Sequence, residues 1–263
     1  MDRRTFLAAV VATGALLAGC GRRGNGGGSS SGPATTVLPA HWRYEGEEGP
    51  AHWGELDPAY MACSAGKAQS PIDIVNPVPS GKAPPTVAYR AGATEIVNNG
   101  HTVQANPPSG LSLKLDGADY ELLQAHFHSP GEHAFAGRSG PVELHFVHRG
   151  ASGTLAVLGF LVQAGPTHPA WQPFVDALRT REGDRATIQL DWPRLVPATA
   201  TTIRYAGSLT TPPCTEGVQW LVAQEPLTLG NAQIKAFSDA YSGNNRPRRP
   251  LEGAVVTIDS LPR

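Results

Sequence analysis

Five of the nine histidines fall within residues 121–148, ELLQAHFHSPGEHAFAGRSGPVELHFVH: His126, His128, His133, His145 and His148. Residues 121–128 and 142–148 read as strands, because apolar, β-branched and aromatic residues recur there with little helix capping. Between them, 129–140 carries Pro130, Gly131, Gly137, Ser139 and Gly140, which predicts a loop and so a hairpin. Side chains alternate across a strand, so Gln124, His126 and His128 share one face, and Glu143, His145 and Val147 share another. Pairing the two strands brings three imidazoles to one point. Three neutral imidazoles suit Zn²⁺, which in catalytic sites takes three protein ligands and leaves a fourth position for water. Gln124 and Glu143, each two residues before a histidine, are placed to accept the second ring N–H and fix its orientation. His-x-His alone fits a solvated sheet face equally well. The third histidine at matching parity, with two orienting partners, moves the reading to metal.

The elements that must position these residues are short and β-rich. The chain has 263 residues, 40% of them hydrophobic, with 30 glycines and 24 prolines that favour many turns over long helices. The net charge of −1 gives no support to nucleic-acid binding. Strand patterns are expected at 69–74, 87–89, 95–99, 101–104, 111–115, 120–128, 203–208, 218–224 and 255–258. Residues 154–162 form a longer apolar run, suited to a strand buried on both faces. Only 170–179 and 232–240 look helical. Residues 41–53 show neither period and should pack over the domain through Trp42, Tyr44 and Trp53. No repeat and no linker follows Pro39, so 40–263 is expected to be one domain.

Residues 1–20 read as a processing segment. Arg3-Arg4-Thr5-Phe6-Leu7 resembles a twin-arginine export signal, and the apolar run 7–18 is too short to span a bilayer comfortably. Leu17-Ala18-Gly19-Cys20 resembles a lipobox, in which Cys20 is lipidated and anchors the chain to a membrane. Residues 21–39, rich in Gly and Ser, then form a flexible tether. An anchored, exported domain on the periplasmic or extracytoplasmic face of a bacterial membrane is the expectation. Cys63 and Cys214 are then either a disulfide, which an oxidising compartment permits, or two buried free thiols. A bond would close a long loop, with an upper stabilisation of about 4–5 kcal/mol in the entropic account.

The stretches HWRYEGEEGPAHW, QSPIDI, NNGH, QAHFHSPGEH, ELHFVH, LAVLGF, GSLTTPP and NNRPRRPL occur in the order and at the spacings of the α-class carbonic anhydrases. The chain resembles that family over nearly all of 41–263, and its cysteines resemble the bacterial branch, which pairs Cys63 and Cys214 equivalents. The resemblance implies a mainly β fold: a central, twisted, largely antiparallel sheet of about ten strands with short peripheral helices. It implies reversible hydration of CO₂ to bicarbonate and a proton by zinc-bound hydroxide, with sulfonamides and small anions as inhibitors. Esterase activity on activated esters is a plausible side reaction.

On that resemblance His126, His128 and His145 bind zinc, with Gln124 and Glu143 behind them. Thr210 accepts a hydrogen bond from the attacking hydroxide and donates its own proton to Glu132; one proton cannot serve both, so the hydroxide is oriented. Val147, Val157, Leu209, Thr211, Val218 and Trp220 join Thr210 around the substrate, although without the family the apolar ones are simply core residues. His101 is the proton shuttle, with Tyr44, Asn99 and Gln104 lining its waters. Two departures stand out: Arg43 where glycine is common, and Gln104 where asparagine is common. Two other functions use the same residues. A zinc-scavenging surface lipoprotein needs the histidines but not Glu132, Thr210 or the apolar pocket. An adhesin on this fold would use a basic patch such as Arg246-Pro247-Arg248-Arg249.

Overall fold

The computed structural model describes residues 40–250, 252 and 255–259. The expected export signal with Cys20 and the tether at 21–39 lie outside the described residues. Trp42–Arg263 forms one compact unit.

After a 3₁₀ turn at Gly46–Glu48, the described residues form two single-turn helices, α1 (Trp53–Leu56) and α2 (Ala62–Ala65), then short strands β1 (Asp73–Ile74), β2 (Val78–Pro79) and β3 (Thr86–Ala88). Strands β4 (Gly92–Asn98), β5 (Val103–Asn106), β6 (Ser112–Leu115) and β7 (Ala118–His128) lead to β8 (Ala134–Phe135), which pairs only with β1. Next come β9 (Val142–Gly150), β10 (Leu155–Ala164), α3 (Gln172–Ala177), β11 (Arg185–Leu190), β12 (Thr202–Ser208) and β13 (Glu216–Ala223). The last elements are β14 (Leu227–Leu229), α4 (Asn231–Ala240) and β15 (Thr257–Ile258).

The main sheet runs β11-β4-β5-β7-β9-β10-β13-β12-β15-β2, with β3, β6 and β14 attached to its sides. Most pairs are antiparallel; β10 runs parallel to β13 and β14, and β15 parallel to β2. The expectation of a mainly β fold built on about ten strands is met. β9 and β10 are buried along most of their length because both faces of the sheet centre are covered. One face packs Phe127, Phe146, Phe160, Trp171, Trp192 and Phe237 into the larger core. The other packs Ile72, Val147, Val157, Tyr205, Val218 and Trp220 into a smaller one. Alternation along β10 divides its residues accordingly, Leu158 and Phe160 to the first core and Val157 and Leu161 to the second.

A β-bulge in β7 decides where the histidines point. The register against β9 shifts between Leu122 and Gln124, so Leu123 has no partner. Before it, Tyr120 and Leu122 face the larger core; after it, Ala125 and Phe127 do. Even-numbered residues therefore change face, and Gln124, His126 and His128 leave the core side that their parity with Tyr120 would have given them. Bulges of this kind re-aim side chains beside functional sites.

Several elements depart from the sequence reading. The strand expected at 101–104 starts at Val103 because 99–102 forms a turn. The helix expected at 170–179 is a 3₁₀ turn, Pro169–Trp171, followed by α3. α1, α2, β2, β8, β11 and β14 were not anticipated, and β8 lies within the stretch 129–140 expected to be a loop.

His148 illustrates what the larger core costs. It is fully buried, its Nε2 lies 2.6 Å from the Tyr89 hydroxyl, and burial pushes its pKa from 6.5 down to about 3, against an opposing pull from the main chain at 146 and 156. The unfolded chain binds a proton below about pH 6.5 and the folded chain does not until about 3, so stability is lost as pH falls through that window. At one pH unit per 1.36 kcal/mol, this group alone should remove about 2 kcal/mol between pH 8 and pH 5. Denaturant unfolding of His148→Leu against the parent at both pH values checks it. A shallower pH dependence in the variant is expected; equal slopes would contradict the assignment.

Candidate metal centre

β7 and β9 pair with His126 opposite His145, His128 opposite Glu143 and Gln124 opposite Val147. Ligand atoms of His126, His128 and His145 all lie within 4.8 Å of one another. The second nitrogen of each ring meets an acceptor: His126 Nδ1 meets Gln124 Oε1 at 2.8 Å, His128 Nδ1 meets the Asn244 carbonyl at 2.6 Å, and His145 Nε2 meets Glu143 Oε1 at 2.8 Å. Those nitrogens must carry the ring protons, which fixes the tautomers. Three lone pairs, on His126 Nε2, His128 Nε2 and His145 Nδ1, are left facing a common centre.

That arrangement is unfavourable without a cation. His126 Nε2 and His128 Nε2 stand 3.2 Å apart with no proton between them. Nitrogens bound tetrahedrally to zinc at 2.0–2.1 Å are about 3.3 Å apart. Burial, reinforced by the neighbouring imidazoles, holds His126 well below its ordinary pKa, and burial takes His128 to about 4. Burial also lowers His145, against Glu143. All three are therefore neutral, the ligating form, and the residues fit a tetrahedral divalent metal.

A second trio, His133, Glu143 and His145, is equally compact but is a hydrogen-bond hub. Glu143 Oε1 accepts from His133 Nδ1 at 2.7 Å and His145 Nε2 at 2.8 Å, and Oε2 accepts from the main-chain N–H of Glu132 and His133, each at 2.8 Å. Burial raises the Glu143 carboxyl, but His133 and His145 more than offset it and hold it well below the usual range. His133 Nε2 lies 2.6 Å from the Tyr205 hydroxyl, which continues to Ser70 Oγ at 2.8 Å. The sequence reading left His133 without a role; Glu143 binds both histidines.

Glu132 and Thr210 meet beside the histidines. Glu132 Oε1 accepts from the Arg246 main-chain N–H at 2.8 Å. Burial raises this carboxyl to about 7, with a hydrogen bond from Thr210 among the influences lowering it. The contact is loose, since Oε2 has no partner at full hydrogen-bond geometry. Thr210 follows the register shift between Gly207 and Ser208 at the end of β12. Its loop closes through Leu209 N–H to Thr215 O at 3.0 Å and Cys214 N–H to Thr211 O at 2.8 Å. Cys63 and Cys214 form a disulfide that fastens this loop to α2.

Val147, Val157, Val218 and Trp220 are buried in the smaller core, with Leu209 half-buried against them. The Trp220 ring lies 4.9 Å from that of His145, so an apolar wall adjoins the histidines. Thr211 is half-buried on the same loop.

His101 stacks on Trp42 at 3.7 Å with planes 7° apart, and Tyr44 meets it edge-on at 6.4 Å. Burial, then Glu132, raises the Tyr44 hydroxyl well above its ordinary pKa, so it is a neutral donor. Asn99 Oδ1 accepts from the N–H groups of His101 and Thr102, which makes it a turn cap. Gln104 donates to Asn106 Oδ1 at 2.5 Å on the histidine face of β5. Arg43 turns outward to Glu48 at 3.0 Å. The basic patch needs correction. Arg246 is 1% exposed, its guanidinium donating to the carbonyls of Ser70 at 2.7 Å and Cys63 at 2.8 Å over the Trp53 ring.

Comparison with known proteins gives one family. The model of eukaryotic-type carbonic anhydrases matches residues 48–257. The carbonic anhydrase of Pectobacterium atrosepticum is 41% identical over 221 residues, covering 82% of this chain and 90% of its own. The α-carbonic anhydrase of Thermovibrio ammonificans, solved with the inhibitor sulfanilamide, is 38% identical with a TM-score of 0.79, covering 84% of this chain and 99% of its own. The α-carbonic anhydrase of Photobacterium profundum is also 38% identical, with a TM-score of 0.77, over 82% of this chain and 100% of its own.

Proposed function

The chain belongs to the eukaryotic-type, or α-class, carbonic anhydrases, and from that premise we propose that it hydrates CO₂ reversibly at the three-histidine centre, with zinc as the metal. The observation that carries the reading is the convergence of three neutral imidazole lone pairs whose other nitrogens are all engaged. Zinc held there would supply hydroxide near neutral pH by lowering the pKa of water to about 7, a magnitude established on carbonic anhydrase itself and carried over.

His126, His128 and His145 hold the metal, and Gln124, the Asn244 carbonyl and Glu143 keep the rings aimed. Thr210, its proton directed to Glu132, presents an oxygen that can only accept, which orients the attacking nucleophile and rejects ligands without a proton to give. The apolar wall of Val147, Val157, Leu209, Val218 and Trp220 receives CO₂ and keeps competing water from its carbon. Each turnover releases one proton, and His101 takes it toward solvent, imidazole being the side chain whose ordinary titration lies nearest neutral pH.

Thr210→Ala separates this reading from zinc storage. Zinc content should hold while kcat/KM falls about 10²-fold, the scale of removing one preorganised hydrogen-bond partner. Unchanged turnover in the variant would overturn the role of Thr210. The disulfide and the lipobox-like Leu17-Ala18-Gly19-Cys20 support an exported, lipid-anchored enzyme. Fatty-acid labelling that Cys20→Ser does not abolish would reject the anchor. Buried Arg246 weakens the adhesin reading, because the patch loses one of its three charges from the surface.

A further inference from the structure

We propose that the Asn244 side chain is a positioning residue for proton release: it locks the turn that carries His101 to the end of β7, where His128 stands. The inference rests on the reading of His101 as the relay and adds to it the device that holds the relay in place.

Asn244 is 2% exposed and lies on the segment after α4. Its Nδ2 donates to two carbonyls, that of His101 at 3.0 Å and that of Phe127 at 3.1 Å. Its Oδ1 accepts from the Ser129 N–H at 2.8 Å. Both amide hydrogens and the amide oxygen are thus engaged by main chain on either side of His128 and at His101. The main-chain carbonyl of the same residue separately receives His128 Nδ1 at 2.6 Å. One residue therefore ties together a metal-ligand ring, the strand bearing it and the turn bearing the relay.

The turn itself is stiff. Asn99 Oδ1 caps the N–H groups of His101 and Thr102, and Gly100 takes φ +87°, a conformation that favours glycine. A stiff turn moves as a body, so its placement depends on what fastens it. Two side chains do so at Phe127: Thr102 Oγ1, which donates to the Phe127 carbonyl at 2.8 Å, and Asn244. Of these, Asn244 alone also grips the His101 carbonyl. Proton transfer through a short water chain is sensitive to position, and misplacement of about 1 Å can lower a rate about 10²-fold.

The two functions of Asn244 can be separated, because any residue at 244 keeps the main-chain carbonyl that His128 uses. Asn244→Asp retains Oδ1 but places a second oxygen against two carbonyls. Asn244→Ser withdraws the amide altogether and serves if the aspartate variant folds poorly. In dilute buffer both variants should lower kcat about 10-fold, with kcat/KM within about twofold of the parent and zinc per chain unchanged. Concentrated imidazole should restore kcat. His101→Ala should show the same pattern, and adding Asn244→Ser to it should lower kcat no further. A readout without metal is the His101 Cε1–H resonance in metal-stripped protein. Stacking on Trp42 shifts it upfield in the parent, and the shift should shrink in Asn244→Ser.

Parallel losses of kcat/KM or zinc would make Asn244 part of the metal centre and overturn the proposal. So would losses that add to those of His101→Ala, or an unmoved His101 resonance. If His101→Ala leaves kcat intact, the relay reading itself fails, and the purpose assigned to Asn244 fails with it; the resonance then still reports whether the side chain positions the turn.

Discussion

His126→Ala should lose metal and CO₂ hydration together, zinc falling from about one per chain to near zero. The lone-pair arrangement gives the reason. His126 supplies one of three converging nitrogens and is the only one oriented by a side-chain amide, Gln124. Two imidazoles leave the ion short of a ligand in a site built for three plus an open position. Since bulk water has a pKa of about 15.7 against about 7 on zinc, we expect activity to fall at least about 10³-fold. The fold should survive, because His126 belongs to neither hydrophobic core. Metal analysis and stopped-flow hydration on the same preparation check this. Retained zinc with retained activity would place the site elsewhere.

Removing the Cys63–Cys214 bond should have the second largest effect, on stability rather than chemistry. The bridge joins positions 151 residues apart, a loop long enough for a chain-entropy contribution of up to about 5 kcal/mol. The main-chain contacts around it outlast the sulfurs: Gln69 Nε2 still donates to the Cys214 carbonyl and Arg246 Nη2 to that of Cys63. A Cys63→Ser/Cys214→Ser protein should therefore bind zinc and turn over CO₂ at low temperature. It should unfold about 10 °C lower, at roughly 2–4 °C per kcal/mol for a domain of this size. Denaturant unfolding of both forms decides it; equal stability would show that the unfolded chain gains little freedom when the bond is lost.

The histidines were legible because strand alternation needs only parity, and His126, His128 and His145 satisfy it. The hairpin was legible from Pro130, Gly131, Gly137, Ser139 and Gly140, whose turn chemistry marks a loop between the two strands. The bulge at Leu123 was not, since an extra residue leaves no mark on a local pattern; it shows only when Tyr120 and Phe127 are found in the same core. The partner of His128 was hidden too, because a main-chain carbonyl belongs to every residue and only folding brings the one at Asn244 within 2.6 Å. Arg246 was misread as surface charge: an arginine between Asn245 and Pro247 looks solvated until two carbonyls and an indole ring enclose it. β11 was missed although Arg185–Leu190 alternates; at the sheet edge Ala186 and Ile188 are only half-buried and Leu190 alone is fully inside.

The most direct test of the account is CO₂ hydration by the purified protein, followed through metal removal and return. The account predicts rapid hydration with about one zinc per chain, abolished by chelation, restored by zinc and blocked by sulfanilamide. Protein that holds its full complement of zinc yet hydrates CO₂ no faster than buffer would contradict it.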